Sequence, residues 1–569
     1  MYALFAVIYY KERLYGDASY FIFHLINDES FRVEHQRFVQ LFFQLFPLIG
    51  VKLALPYKFI LILYSLGNVI YFYVITAVCV FLLKDRLAAL AIIILLMFGT
   101  AYLYFCPIFE IWYGLAIAIL FYSMLHRSMH LKSVGLILML LVETLALFSH
   151  PLTFFILAFF TLLDILDRKS IKLSHILFFL LIIIWAVVKP MLLSEYEGGK
   201  MDYILNTSKN KSYLNLLSLH YVIELAVFFY KNYFVVMIMG FLCMIYFRVY
   251  GYRKHLLVFS AAIFSYIVFI NVTHVATQIS FYIERLYLVL IPMTAVPFVY
   301  YVFGRLRPGP RIIVLLLLIS GIIYQFNLIP VRANAYTERV EHTQRLINYT
   351  RQFEGSKFVI NEDNYRKRYN DLEWSLPVEA ILYSTLEGKE KSTTICTSDD
   401  MLHDDNFKKI NEGNFLFRRW DIINDGELNA KYFSMQNGKY FNLNEECCID
   451  RLDPFFNSCV EIEVKTLPYY EHSKAYYVRV HVNNMNETAL CSNLEEKVYL
   501  SYHWYQGIYP VVWDGLRSPI EVNLINEHSQ DIEVLMPEKK GTYTLVVDVL
   551  VEYRGWFGAD GRSDEVLIY

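Results

Sequence analysis

Hydrophobic residues fill the first 330 positions of this chain in long blocks, and the polar residues between them come in short clusters. A membrane crossing takes roughly 20 apolar residues. Blocks of that order lie near 59–83, 87–106, 111–126, 133–149, 152–166, 174–193, 226–247, 255–272, 286–304 and 311–329. Segments 1–10 and 38–55 are apolar but ambiguous. The first is too short to span alone, and it lacks the basic start and small-residue cleavage site of a signal peptide. The second either crosses or dips into the interface. The length rule then predicts about ten to twelve spans.

After residue 330 the pattern changes. Residues 331–345 read as a helix leaving the membrane. "SKFVIN", "STTICTS" and "NFLFRRW" read as strands, and "PVEAILYSTLEG" as a helix with Pro at its start and Gly at its end. From about 458 only strands are expected: "VEIEVKTL", "AYYVRVHVNN", "KVYLSYHWYQ", "YPVVWDG", "IEVNLIN", "DIEVLMP" and "TYTLVVDVLVEY". Turn residues separate them at sandwich-like spacing. The expected fold is a polytopic α-helical membrane domain of about 10–12 spans (1–330), a small α/β unit (331–450) and a C-terminal Ig-like β-sandwich (451–569).

Composition agrees with that division. The 569 residues are 56% hydrophobic, 17% aromatic and 18% charged, whereas soluble domains carry about a quarter charged residues. No basic stripe with interleaved aromatics is present, which argues against a nucleic-acid partner. Basic residues set the expected orientation. One set of alternate loops holds Lys84 and Arg86; Arg127 and Lys132; Arg168, Lys169 and Lys172; Arg248, Arg253 and Lys254; Arg305, Arg307 and Arg311. The opposite set is poorer: the turns at Cys106–Pro107 and His150–Pro151 carry none, and 195–220 carries Lys200, Lys209 and Lys211. The first set is therefore expected in the cytoplasm and the polar C-terminal half outside. If 38–55 spans, residues 11–38 fall on the cytoplasmic side, and Lys11, Arg13, Arg32 and Arg37 weigh toward that. Five cysteines (Cys396, Cys447, Cys448, Cys459 and Cys491) lie in the outward half, where disulfides are permitted; their spacing does not give a connectivity.

The stretch "KERLYGDASYFIFHLINDESFRVEHQRF", residues 11–38, is the polar interruption that carries candidate chemistry. Apolar positions 21, 22, 25 and 26 beside Ser19, His24 and Asn27 predict a short amphipathic helix along the membrane surface. Asp17 reads both as that helix's N-cap and as a carboxylate at the water–lipid boundary. Glu34, His35 and Arg37 follow in "VEHQRF". In a helix, Glu34 and Arg37 would pair at i, i+3. Together with Asp17 they suit an acceptor hydroxyl meeting a lipid-linked phosphate. A carboxylate takes the hydroxyl proton, and an Arg forks onto phosphate oxygens.

With an acidic residue in the first outward loop, surface helices there and an outward C-terminal region, the layout of residues 1–330 resembles the GT-C glycosyltransferases. These multi-span enzymes use polyprenyl-phosphate-linked sugars. The resemblance implies that Asp17 of "YGD" is the catalytic base. Many relatives have two adjacent acids in this loop; here Ala18 follows Asp17, so a divalent cation is left open. "YIERLYLVLIP", with Glu284 and Arg285, resembles a late feature of many members, although Leu286 separates Arg285 from Tyr287. Arg285 and Arg37 are then the expected donor-phosphate ligands. His24, Glu34, His35, Glu110 of "CPIFEIWYG", His150 of "FSHPLT" and Glu284 are the expected cavity and acceptor residues. The bland alternatives are interfacial acids, a helix-ending turn and a snorkelling Arg. Glu143, Lys189 and Asp164 are polar groups within or near spans.

The function expected is an integral-membrane glycosyltransferase acting on the extracytoplasmic (periplasmic) face of a bacterial inner membrane. Its partners would be a polyprenyl-phosphate-linked sugar, a glycan, lipid or protein acceptor, and the bilayer. A transporter or flippase, and a polymerase or ligase of lipid-linked glycans, are the alternatives. The segment "VYLSYHWYQ"–"VVWDGLRSP"–"GTYTLVVDVLVE" resembles β-sandwich modules of surface-polysaccharide enzymes, carried by Trp504, Trp513, Asp514, Arg517 and Trp556. These read either as an inter-sheet Trp with a loop ion pair or as a sugar-stacking face.

Overall fold

The computed structural model describes residues 1–98, 103–194, 197–199, 202, 218–273, 286–351, 353–360, 373–443, 460–484, 497–507, 509–520, 527–552, 555–557 and 561–569. The chain forms two compact units. The first is Met1–His342 with Asn429–Tyr432, and the second is Thr343–Leu428 with Phe433–Tyr569.

The first unit is helical. Its early helices are α1 (Tyr2–Ile8), α2 (Asp17–Asn27), α3 (Gln40–Lys52), α4 (Tyr57–Ala77), α5 (Arg86–Met97), α6 (Glu110–His126), α7 (Ser133–Leu147), α8 (Thr153–Arg168) and α9 (Leu173–Val188). Among the described residues, six helices are long and apolar enough to cross a membrane: Tyr57–Leu82, Leu173–Leu192, Leu219–Val249, Arg253–Thr273, Tyr287–Arg305 and Pro308–Thr350. Several blocks expected to span are shorter. The 12 residues of α5 reach only about 18 Å at 1.5 Å per residue, against a hydrocarbon core of roughly 30 Å.

Helix α6 is apolar and enclosed by the protein. Fifteen of its 17 residues are buried, so its all-round apolar surface serves a protein core. Helices Leu219–Val249, Arg253–Thr273 and Pro308–Thr350 are the reverse, with only 28%, 22% and 11% of their most apolar stretch buried.

The ambiguous segment 38–55 becomes the 13-residue α3, which contains Pro47 and is too short to span. It packs along the first half of α4. Gly67 permits that approach, because a Cβ there would overlap the Phe43 carbonyl oxygen. The expected helix 331–345 is continuous with the preceding apolar block in one 43-residue helix.

In the second unit, β1 (Lys357–Ile360) lies between β2 (Thr394–Thr397) and β5 (Phe441–Asn442), parallel to both. The helix Leu376–Ser384, with Pro377 in its first turn, covers β2. Strands β3 (Asn414–Arg418) and β4 (Asp421–Asn424) form a hairpin. The β-rich remainder holds β6 (Val460–Lys465), β7 (Tyr469–Tyr470), β8 (Ala475–Asn484), β9 (Val498–Gln506), β10 (Tyr509–Val512), β11 (Ser518–Pro519), β12 (Glu527–Leu535), β13 (Gly541–Val551), β14 (Gly555–Trp556) and β15 (Gly561–Ile568).

One sheet runs β10-β9-β13-β15-β7 with β11 and β14 attached; the other runs β12-β8-β6. Their inward residues share one core. Val478, Val480 and Val482 of β8 meet Leu500, Tyr502 and Trp504 of β9 and Leu545, Val547 and Val549 of β13. Strand β15 was not expected from the sequence, and 521–526 of "IEVNLIN" lie outside the described residues.

Candidate functional site

Asp17 stands on a tightly held turn. Arg13, fully buried, donates to the Tyr104 carbonyl, to the Ser65 carbonyl at 3.2 Å and to Asn68 Oδ1 at 2.9 Å. Its guanidinium lies over the Tyr104 ring. Charge-assisted bonds of this kind are the stronger ones, so Arg13 ties the opening segment to α4 and to the α5–α6 connection. From the helix end at 331–342, Tyr336 packs edge-on against Tyr15 at 5.1 Å, Arg339 lies over the Tyr15 ring, and Thr337 donates to Glu12 at 3.1 Å. Gly16 then turns the chain with φ 58°, ψ −123°, a conformation that favours glycine. Asp17 becomes the first residue of α2 rather than its cap: Gly16 is the N-cap, and no side chain caps the helix. The exposed Asp17 carboxylate therefore sits where the helix dipole favours negative charge.

Helix α2 does not lie on a surface. Eight of its 11 residues are buried, including Ser19, whose hydroxyl donates to the Gly16 carbonyl at 2.6 Å. His24 is half-buried; it pairs with Asp28 at 3.1 Å and packs edge-on against Tyr20.

Residues 31–39 are not helical, so the expected Glu34–Arg37 pair does not form. Buried Gln40 and Gln44 bond the backbone of 32–34. Glu34 accepts from Arg32 and from Tyr20, each at 2.7 Å. His35 and Gln36 both take positive φ, 54° and 57°, and this turn sends Arg37 the other way.

Arg37 donates to Glu110 at 3.0 Å and to Glu197 at 3.5 Å. Gln40 holds the second Glu110 oxygen at 2.6 Å. Lys189 donates to Glu197 at 3.0 Å, to Gln36 Oε1 at 3.0 Å and to the His35 carbonyl at 3.1 Å. His35 Nδ1 meets Ser194 Oγ at 2.8 Å. Two cations and two carboxylates thus form a neutral cluster that is mostly buried, as desolvated charges require. Burial and the Arg37 charge hold the His35 imidazole below its usual range.

Tyr64 of α4 stands between the two groups without a hydrogen bond to either. Its buried hydroxyl lies within electrostatic reach of Asp17, Glu110 and Arg13. Lys189, Glu197 and Gln40 were not singled out as site residues from the sequence. Lys189 was noted only as a polar group near a span end, and pairing across 153 to 160 positions has no local signal.

The other candidates stand elsewhere. His150 Nδ1 accepts the Leu152 N–H at 3.2 Å and closes the α7–α8 turn. Glu284 and Arg285 lie outside the described residues. Glu143 is fully buried in α7, with neither oxygen hydrogen-bonded.

A second polar group marks the opposite end of α6, about 25 Å from Glu110 by the helix rise. Asp164 accepts from Arg168 at 2.7 Å and from His175 Nε2 at 2.9 Å, with His130 Nε2 at 3.8 Å. The ligand atoms of His130, Asp164 and His175 lie within 4.8 Å of one another, the spacing of a metal site. His175 Nδ1, however, accepts the Lys172 N–H at 3.0 Å, so its Nε2 carries the proton donated to Asp164. His175 thus offers no lone pair to a cation, while neither His130 nitrogen is hydrogen-bonded; as it stands the trio closes these helix ends.

No family model, curated protein or solved structure matches this chain.

Proposed function

We propose that the chain is an integral-membrane glycosyltransferase that moves a sugar from a polyprenyl-phosphate donor to a glycan, lipid or protein acceptor on the extracytoplasmic face. One observation carries this reading: the exposed Asp17 carboxylate, on a clamped turn, and Glu110, the partner of the mostly buried Arg37, both lie close enough to the Tyr64 hydroxyl for their charges to act on it. Asp17 takes the proton of the acceptor hydroxyl as its oxygen attacks the anomeric carbon. The bond between that carbon and the phosphate oxygen breaks, and polyprenyl phosphate leaves as an anion. Arg37 and Lys189 stabilise the charge that develops on it. The Arg37–Glu197 contact, the longer of its two, is the one a phosphate would replace.

The bilayer fits the outward Leu, Ile and Phe side chains of Leu219–Val249, Arg253–Thr273 and Pro308–Thr350. Packing supports an outward Asp17. The opening segment contacts the α5–α6 connection through Arg13–Tyr104, whereas Arg127 reaches Lys84 at the other end of α6. The basic-residue rule then puts Asp17 outside.

The test is a transfer assay with a panel of polyprenyl-phosphate sugars. Asp17→Asn is expected to lower turnover by about 100-fold or more, the usual worth of a general base, with an unchanged unfolding temperature. Equal turnover in the two proteins overturns the assignment.

A further inference from the structure

The β-rich region carries a second feature, separate from the Asp17 end. Strand β10 and the turn after it expose several large apolar side chains. Tyr509 is 72% exposed, Val511 47%, Trp513 55% and Leu516 44%. A Trp this exposed is unusual, since Trp is highly buried on average. Trp504, nine residues earlier, obeys that rule: it is fully buried, and its indole N–H donates to the Leu535 carbonyl at 3.0 Å.

Trp513 is exposed yet held still. The buried His503 ring stacks on it with centroids 4.3 Å apart at 23°, and Trp556 covers His503 at 4.1 Å. The His503 Nδ1–H donates to the Trp513 carbonyl. The following turn is pinned too. The Gly515 N–H donates to the Tyr502 carbonyl at 3.0 Å, and Ser501 donates to the Gly515 carbonyl at 3.2 Å. Gly515 lies so close to the Tyr502 ring that a Cβ there would overlap it. One face of the indole is therefore supported by His503, and its exposure comes from the rest of the ring. Beside it, Asp514 and Arg517 form an exposed pair at 3.2 Å.

We propose that Trp513, with the Asp514–Arg517 pair beside it, is a binding site for a neutral glycan. A pyranose has an apolar C–H face that lies flat on an indole and a rim of hydroxyls that both give and take hydrogen bonds. The carboxylate of Asp514 accepts from such hydroxyls, and the Arg517 guanidinium donates to them. Charge selects the ligand class. The segment 509–519 holds one acid and one base, so it offers no net field to an anionic polymer or lipid, nor to a cation. The rigid support removes the cost of ordering the platform when a ligand arrives. This inference does not depend on the role given to Asp17.

The test uses the full-length protein in detergent, titrated by calorimetry with cellohexaose, chitohexaose and maltohexaose. At least one hexaose is expected to bind the wild type. Trp513→Ala is expected to weaken that binding by tenfold or more and Trp513→Phe by threefold or less. Unfolding temperatures of the variants check that the sheet is intact. No binding of any hexaose, or equal binding by Trp513→Ala, overturns the proposal. So does shielding of the Trp513 fluorescence from acrylamide by lipid nanodiscs without sugar, because Trp513 would then dock on lipid.

Discussion

At the scale of single residues, the charged groups of the first unit differ in what surrounds them. Asp17 is exposed on a turn that other residues fix, whereas Arg37, Lys189, Glu110 and Glu197 neutralise one another. His130 is buried. Burial pushes its imidazole down to about 4, against the opposing pull of Asp164. Between that value and the unfolded value near 6.5, the unfolded chain binds a proton that the folded chain refuses. Stability is therefore present above about pH 6.5 and falls as the pH drops toward 4, by at most about 1.4 kcal/mol per pH unit from this one group. Unfolding temperatures across that range should fall more steeply for the wild type than for His130→Gln. Parallel curves would remove His130 as the source.

At the scale of elements, close approach of α3 to α4 rests on the missing side chain of Gly67. Gly67→Ala should destabilise by about 1–3 kcal/mol through overpacking, read as a lowered unfolding temperature. Gly309→Ala, where nothing lies within 4 Å of the added carbon, should not lower it. Legibility in the sequence followed the physics of each element. Strand β8 was readable because Val478, Val480 and Val482 alternate with outward Tyr477, Arg479 and His481. Strand β15 was not, because its buried positions include Gly561 and Ser563, which carry no hydrophobic signal. The exposed acid at Asp17 could be found from its place in the chain. The Arg37 cluster could not be assembled, because the left-handed pair His35–Gln36 breaks the helix that local spacing suggests. Its partners come from α6 and from the segment after α9. Helix α6 is apolar all round and buried, and its sequence alone does not separate a core helix from a span, because core and bilayer ask for the same side chains.

At the scale of the whole molecule, the proposed orientation in the bilayer is open to a direct measurement. Asp28 and Lys132 are both exposed, and they lie in connections assigned to opposite sides. With Cys447, Cys448, Cys459 and Cys491 changed to Ser, the four cysteines left are buried. An impermeant thiol reagent should then label Asp28→Cys in intact cells and Lys132→Cys only after the membrane is opened. The reverse pattern would turn the protein over.

The chain division itself has a consequence. Residues 429–432 belong with the first unit, where Asn429 bonds Asn27, Ile26 and Glu29, and Lys431 and Tyr432 both reach the Val51 carbonyl. No single cut separates the halves: a protease nick after His342 leaves a four-residue splint in place, while a gene ended there strips the splint from the tail of α2 and from the end of α3.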